Sequence, residues 1–340
     1  MGAVQRFDAY QQRHTWVGQP LAVAYKFFDD EGAYLAALLT YYGFLSLFPL
    51  LLLLITALSA LLENDPGLQE QVLHSALRQF PVIGDQLQNN IHSFRVNGLA
   101  LAAGVVGSLY GSLGVAQAAQ HALNAIWAVP RHLRPNPIRS RMKGLVFLAM
   151  VAVGLGAATG LSFMASATSA FGLNLGDEFR FLATVLAILL NASLLLLTYR
   201  ILTHREVEFR KLWAVALGGA CVWQVLQWAG AYYVRHALRG ASATYGMFAI
   251  VLGLIAWLYL GALIFVTAAE VSAVRVHRLW PRSLLTPFTD RVQLTPADRR
   301  AYTSYATTAT FKGFEEVRAD FHQETGRAED DGEPDTPEDD

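Results

Sequence analysis

The chain has 340 residues, 54% of them hydrophobic and only 16% charged, with a formal net charge of -1. Soluble domains carry a charge at roughly a quarter of their positions, so this composition excludes an ordinary water-soluble domain. A single cysteine, Cys221, excludes an intrachain disulfide.

The N-terminal stretch MGAVQRFDAYQQRHTWVGQPLAVAYKFFDDEG has no unbroken apolar core and no small-residue cleavage site, so no removable signal peptide is expected. Residues 1–31 read as a cytoplasmic segment. Within it Pro20, Leu21, Tyr25 and Phe28 mark an amphipathic helix at the membrane interface, anchored by Trp16. From Gly32 through Leu62, 31 residues pass without a charge. About 18 such residues already separate a membrane span from a buried soluble helix. Pro49 interrupts this first span, removing a backbone donor and freeing the carbonyl of Leu45. Ser46, one turn earlier, is placed to re-satisfy local backbone. The kink either aids packing or makes Tyr41, Tyr42, Ser46 and Pro49 one wall of a cavity.

Residues 66–95 are polar, with Leu68, Val72, Ala76, Ile83, Leu87, Ile91 and Phe94 at helical spacing and a break at Pro81. They predict two short amphipathic helices outside the membrane. Further apolar segments at about 98–128, 144–172, 179–199, 212–234 and 244–274 are each long enough to cross a hydrocarbon core. None alternates as a barrel strand does, and open strands cannot cross lipid. The fold class is therefore all-α, with a six-helix transmembrane domain over 32–280. The tail, 281–340, is acidic and expected to be disordered from about 322.

With six spans, 21 of the 26 Lys and Arg residues fall in the N-terminal segment, the 2–3 and 4–5 connections and the tail. The remaining five are Arg78, Arg95, Arg180, Arg235 and Arg239. Positive charge collects on the cytoplasmic side, so both termini are placed there. The basic 2–3 connection, with Arg131, Arg134, Arg139, Arg141 and Lys143, is a place for anionic headgroups to collect.

Polar side chains inside a span must find a partner or water, which makes them functional candidates. In the second span Gln117, Gln120, His121 and Asn124 recur at i, i+3, i+4 and i+7, on one helix face toward the cytoplasmic half. Arg200, ending span four, and Glu270, late in span six, reach the same level. Gln224 and Gln227 in span five, with Asn191 in span four, extend the polar face toward mid-membrane. The competing reading is interhelical glue, with Arg200 paired to Glu270 to fix register. Glycines 104, 107, 111 and 114 give the second span a small-residue side for tight packing.

TYYGFLSLFPLLLLL in span one, TYRIL at 198–202, WAGAYYVRHAL, and ATYGMFAIVLGLIAWLYLGALIFVTAAEVSAV at 243–274 together resemble the YihY/BrkB family, also labelled ribonuclease BN. The resemblance covers roughly residues 20–280. It implies a six-helix bacterial inner-membrane protein with cytoplasmic termini, and roles ranging from serum resistance to transport of a lipid or lipopolysaccharide precursor. One departure is the family's usual proline after the TYR block, where this chain has THREVEFRK.

Catalytic signals are missing from the sequence. It has no HExxH, GxSxG, paired-cysteine or GxxxxGK[ST] motif, and its nine histidines do not cluster at ligand spacing. No metal, cofactor or nucleic-acid partner is expected, and ribonuclease chemistry would lack an acid-base or metal constellation in the short cytoplasmic loops. The expectation is a non-enzyme that transports or translocates an amphiphile through a cytoplasmic-side polar cavity. The alternative is a membrane scaffold or envelope-integrity partner.

Overall fold

The computed structural model describes residues 3–61, 98–170, 177–203, 209–237, 243–286 and 292–321. Among them every regular element is a helix. In chain order these are α1 (Ala3–Arg13), α2 (Thr15–Asp29), α3 (Gly32–Leu61), α4 (Gly98–Ile126), α5 (Pro137–Ala170), α6 (Asp177–Leu202), α7 (Phe209–Ala237), α8 (Ala243–His277) and α9 (Pro296–Thr308). A short 3-10 turn, Arg131–Leu133, lies between α4 and α5. The external segment 66–95 and the acidic tail from 322 lie outside the described residues.

Four segments, Pro137–Ala158, Phe181–Leu202, Leu212–Tyr232 and Val251–His277, are long and apolar enough to cross a membrane. Helices α3 and α4 match them in length, at 30 and 29 residues, and hold no Asp, Glu, Lys or Arg. The six long helices close into a ring in chain order, each packed on the next and α8 packed back on α3. Large apolar side chains such as Val153, Phe181, Phe248 and Leu252 point outward. A soluble protein does not present such a belt, whereas lipid accepts it.

Lipid tails are as apolar as leucine, so hydrophobicity cannot press these helices together; close packing of small residues does. The seams accordingly bury Ala36, Ala116, Ala119, Ala122, Ala220 and Ala269. Tightest is the seam between α3 and α4. A Cβ added at Gly111 would stand 2.7 Å from Ser46 Cα, and one at Gly114 would stand 2.3 Å from the Tyr42 ring. The expected small-residue side of α4 is thus in place at these two glycines.

At one end of the ring, α1 and α2 and the segment after α8 build a platform. The interfacial helix read from the sequence is α2, and a further helix, α1, precedes it, the two separated at His14, whose backbone is extended. Trp16 and Phe28 face outward as expected of interface anchors, at 70% and 76% exposed. Tyr25 turns inward instead, and its hydroxyl donates to the Leu284 carbonyl at 2.7 Å.

Several elements begin or end differently from the sequence reading. Helix α5 starts at Pro137 rather than near 144, because proline pre-sets the dihedral of a first helical residue, so Arg139, Arg141 and Lys143 ride its first turns. Helix α4 ends with Ala128 at φ 48°, and α8 with Arg278 at φ 51°. In each the next N–H reaches back to close the helix, Val129 to the Asn124 carbonyl at 2.9 Å and Leu279 to that of Val274 at 3.0 Å. The tail holds a further helix, α9, nucleated by a reciprocal cap in which the Thr295 hydroxyl accepts from Asp298 N–H and the Asp298 carboxylate accepts from Thr295 N–H.

Candidate functional site

The polar stripe on α4 occupies one arc of the helix but not one environment. Its four members spread over about 100° of the helix at 3.6 residues per turn, and the boundary between interior and exterior runs through them. Gln120 and Asn124 are buried, while Gln117 and His121 are exposed. Gln120 is glue. Its amide donates to the Ser140 carbonyl at 3.0 Å, and its Oε1 accepts from the Ser140 hydroxyl at 2.9 Å. Replacing Gln120 by Leu and Ser140 by Ala, singly and together, should give a coupling energy of about 0.6 to 2 kcal/mol in a double-mutant unfolding cycle. Asn124 keeps a buried Oδ1 without a partner among the described residues.

Gln117 and His121 carry no side-chain hydrogen bond among the described residues, and the charges that act on His121 are Arg134 and Arg131. Arg134 is half-buried and donates Nε–H to the Val129 carbonyl at 3.1 Å. Burial, and then Arg131 beside it, lower its pKa from the ordinary arginine value. An anion between these guanidiniums would relieve that repulsion. Arg131 also lies over the Phe311 ring at 4.4 Å, and His132 N–H donates to the Thr310 carbonyl at 3.3 Å. The basic connection and the C-terminal segment therefore meet at the same end of the ring as α1 and α2. Arg139 and Arg141 are exposed and Lys143 half-buried, on the first turns of α5.

The remaining candidates do not join this face. Ser46 is buried and its hydroxyl donates to the Gly43 carbonyl at 2.9 Å, not to Leu45. Tyr42 packs on α4 at Gly114, so both residues belong to a helix seam rather than a cavity wall. Tyr41 is exposed and meets Tyr42 edge-on, with ring centroids 5.2 Å apart. Pro49 lies inside α3, which runs through it. Gln224 and Gln227 sit half-buried on α7, which is not one of the helices packed directly on either side of α4 in the ring. Arg200 is exposed at the end of α6.

Glu270 is fully buried, and the cation it faces is Lys26, not Arg200, with Nζ 3.6 Å from Oε2. Lys26 is 1% exposed and also forms a close ion pair with Asp30. Burial raises the Asp30 pKa above the ordinary carboxylate value, against the pull of Lys26. Beside this triad stands a second buried cluster. Arg282 Nε donates to Asp298 Oδ1 at 2.6 Å and Nη1 to Asp29 Oδ2 at 3.3 Å. Burial alone would lower the Arg282 pKa, but Tyr305, Asp298 and Asp29 outweigh it and hold the guanidinium above its usual value. Asp298 Oδ2 accepts from Ser283 N–H at 3.0 Å, and Tyr305 O–H donates to Asp29 Oδ2 at 3.1 Å. Gln11 of α1 closes the platform by donating to the Arg282 carbonyl at 2.6 Å.

Of these residues only Glu270 stood out in the sequence as a site candidate. Lys26 and Arg282 were absorbed into the count of topology charges. The signals that were available are the acidic pair Asp29–Asp30 just before the long uncharged run, and the TPAD capping box at 295–298.

Comparison with known proteins agrees with the architecture. A family model described as Virulence factor BrkB matches residues 23–288. A UPF0761 membrane protein of Photobacterium profundum is 24% identical over 259 residues, covering 75% of this chain and 80% of that protein. Another, from Aliivibrio salmonicida, is 25% identical over 272 residues, covering 78% and 84%. One from Ralstonia nicotianae is 28% identical over 188 residues, covering 54% and 41%. No solved structure gives a significant match. With an all-helical ring of apolar helices and a family match spanning most of its length, this multi-pass membrane protein belongs to the BrkB family.

Proposed function

We propose that the protein is a bacterial inner-membrane transporter or translocation component for an anionic amphiphile such as a phospholipid or glycolipid, with both termini in the cytoplasm. The observation that carries this reading is the uncommitted polar pair Gln117 and His121, exposed one turn apart on α4, with His121 in the field of the Arg131 and Arg134 guanidiniums. Helix glue accounts for Gln120 but not for these two. A phosphate-bearing headgroup at the inner leaflet would take its charge from the arginines and its hydrogen bonds from the pair, leaving its acyl chains against the apolar outer face. Sidedness follows from the distribution of 21 basic residues against 5. The chemistry is binding and movement rather than catalysis. A scaffold role would rest on the external segment 66–95 instead.

Native mass spectrometry of protein gently extracted from its own membrane tests the headgroup site. Wild type should retain an anionic lipid that Gln117→Leu/His121→Leu loses. Both positions are exposed, so the variant should unfold like wild type. Identical lipid in the two would turn the reading toward a scaffold.

A further inference from the structure

The Lys26, Asp30 and Glu270 triad places two carboxylates and one ammonium in a site shielded from water. Side chains of Lys26, Asp30 and Glu270 are 2%, 6% and 0% exposed. Asp30 takes the ammonium at close range, while Glu270 stands 3.6 Å from it, beyond hydrogen-bond reach. Neither Glu270 oxygen accepts a hydrogen bond among the described residues. A carboxylate buried with both oxygens empty is among the costliest arrangements a protein can hold, and such a group ordinarily takes up a proton.

The surroundings supply no other remedy. Lys26 and Asp30, from α2 and the turn after it, are the charges that act on Glu270, and Lys26, Glu270 and the neighbouring Asp29 are those that act on Asp30. None comes from α3, α4 or α7, the other helices packed on α8, among the described residues. Tyr199 of α6 is close, but its hydroxyl donates to the Phe265 carbonyl at 2.8 Å. Tyr305 of α9 lies on the far side of Lys26, its ring 5.6 Å from Nζ and its hydroxyl committed to Asp29. A metal cation between the carboxylates would sit against the ammonium and be repelled, whereas a proton binds on the oxygen itself.

We propose that Glu270 and Asp30 form a proton-binding site in which one exchangeable proton, resident on the carboxyl pair beside Lys26, joins α8 to α2. Proton uptake forms one carboxyl O–H bond and brings the triad to zero net charge. Release returns the proton to water, leaves one uncompensated negative charge in a dry site and loosens α2 from α8. The site thereby supplies a coupling ion to a chain in which no nucleotide-binding motif is present. Its role in supplying a coupling ion rests on the transport reading above, whereas the proton site itself does not, because its test measures a proton and not a lipid.

Infrared difference spectroscopy on the full chain in lipid nanodiscs, taken across a pH jump, reads the site directly. Wild type should show a protonated-carboxyl C=O band that disappears on alkalinisation and shifts in deuterium oxide. Glu270→Gln, an isostere of the protonated form, should lose that band. Asp30→Asn, as a second variant, should move or abolish it. Absence of a titrating carboxyl band in wild type, or its persistence in Glu270→Gln, overturns the proposal. Loss of the wild-type band on adding sodium at constant pH would also overturn it, in favour of a metal cation.

Discussion

Arg282→Met is expected to release the C-terminal segment from the bundle at a cost of about 3 to 5 kcal/mol, the usual penalty for removing one partner of a buried ion pair. The methionine leaves Asp298, which is fully buried, and Asp29 without their cation. Asp298 would still accept from Ser283, but a backbone donor does not neutralise a carboxylate. Arg282→Lys should not restore stability, because Nε and Nη1 address two different acids and a single ammonium cannot span them. Arg318→Met is the contrast. That arginine pairs with Glu316 while 74% exposed, and its loss should change stability by less than about 1 kcal/mol. Thermal unfolding in detergent and limited proteolysis within 292–321 separate the outcomes: early cleavage in Arg282→Met and in Arg282→Lys, none in Arg318→Met.

A second large effect is expected at Gly111→Leu. The new Cβ would meet the Ser46 backbone, which cannot rotate away as a side chain can, so α3 and α4 must separate. Overpacking of this kind costs about 1 to 3 kcal/mol, and more when a backbone has to move. Gly156→Leu on α5 provides the control, since nothing lies within 4 Å of the Cβ it would add. Leucine is the better helix former, so the control should be neutral or slightly more stable. Unfolding by a denaturing detergent, followed by circular dichroism, should show a marked loss for the first and none for the second. Equal behaviour would mean that the α3–α4 seam is looser than its geometry states.

How far the sequence could be read depended on how local the signal was. Long uncharged runs are continuous, and the helices they predicted are present at nearly the predicted places. Packing of glycines 111 and 114 was legible for the same reason, since spacing along one helix is enough to show a small-residue side. The stripe at Gln117, Gln120, His121 and Asn124 was read as one polar arc of the helix, but the sequence could not show that the arc crosses from the interior to the exterior. Helical spacing fixes relative angle but not where a neighbouring helix ends. The partner of Glu270 was harder. Lys26 is 244 residues away in the chain, and Arg200 reaches a similar depth, so depth alone could not choose between them. Fold-back of residues 282–310 onto α2 left its traces in short cues, a Thr-Pro-Ala-Asp cap and an isolated arginine, that an ordinary polar tail also contains.

The platform also sets an order of assembly. Helix α2 leaves the ribosome well before the groups that complete its contacts: Glu270 near the end of α8, Arg282 beyond it, and Tyr305 on α9. Until they emerge, Asp29 stands without its arginine at the membrane surface, and Lys26 and Asp30 have only each other. Helices α1 and α2 are therefore completed by segments from α8 onward. A chain that had grown only to residue 281 would carry every long helix of the ring and still lack both α9 and the arginine that ties it to α2.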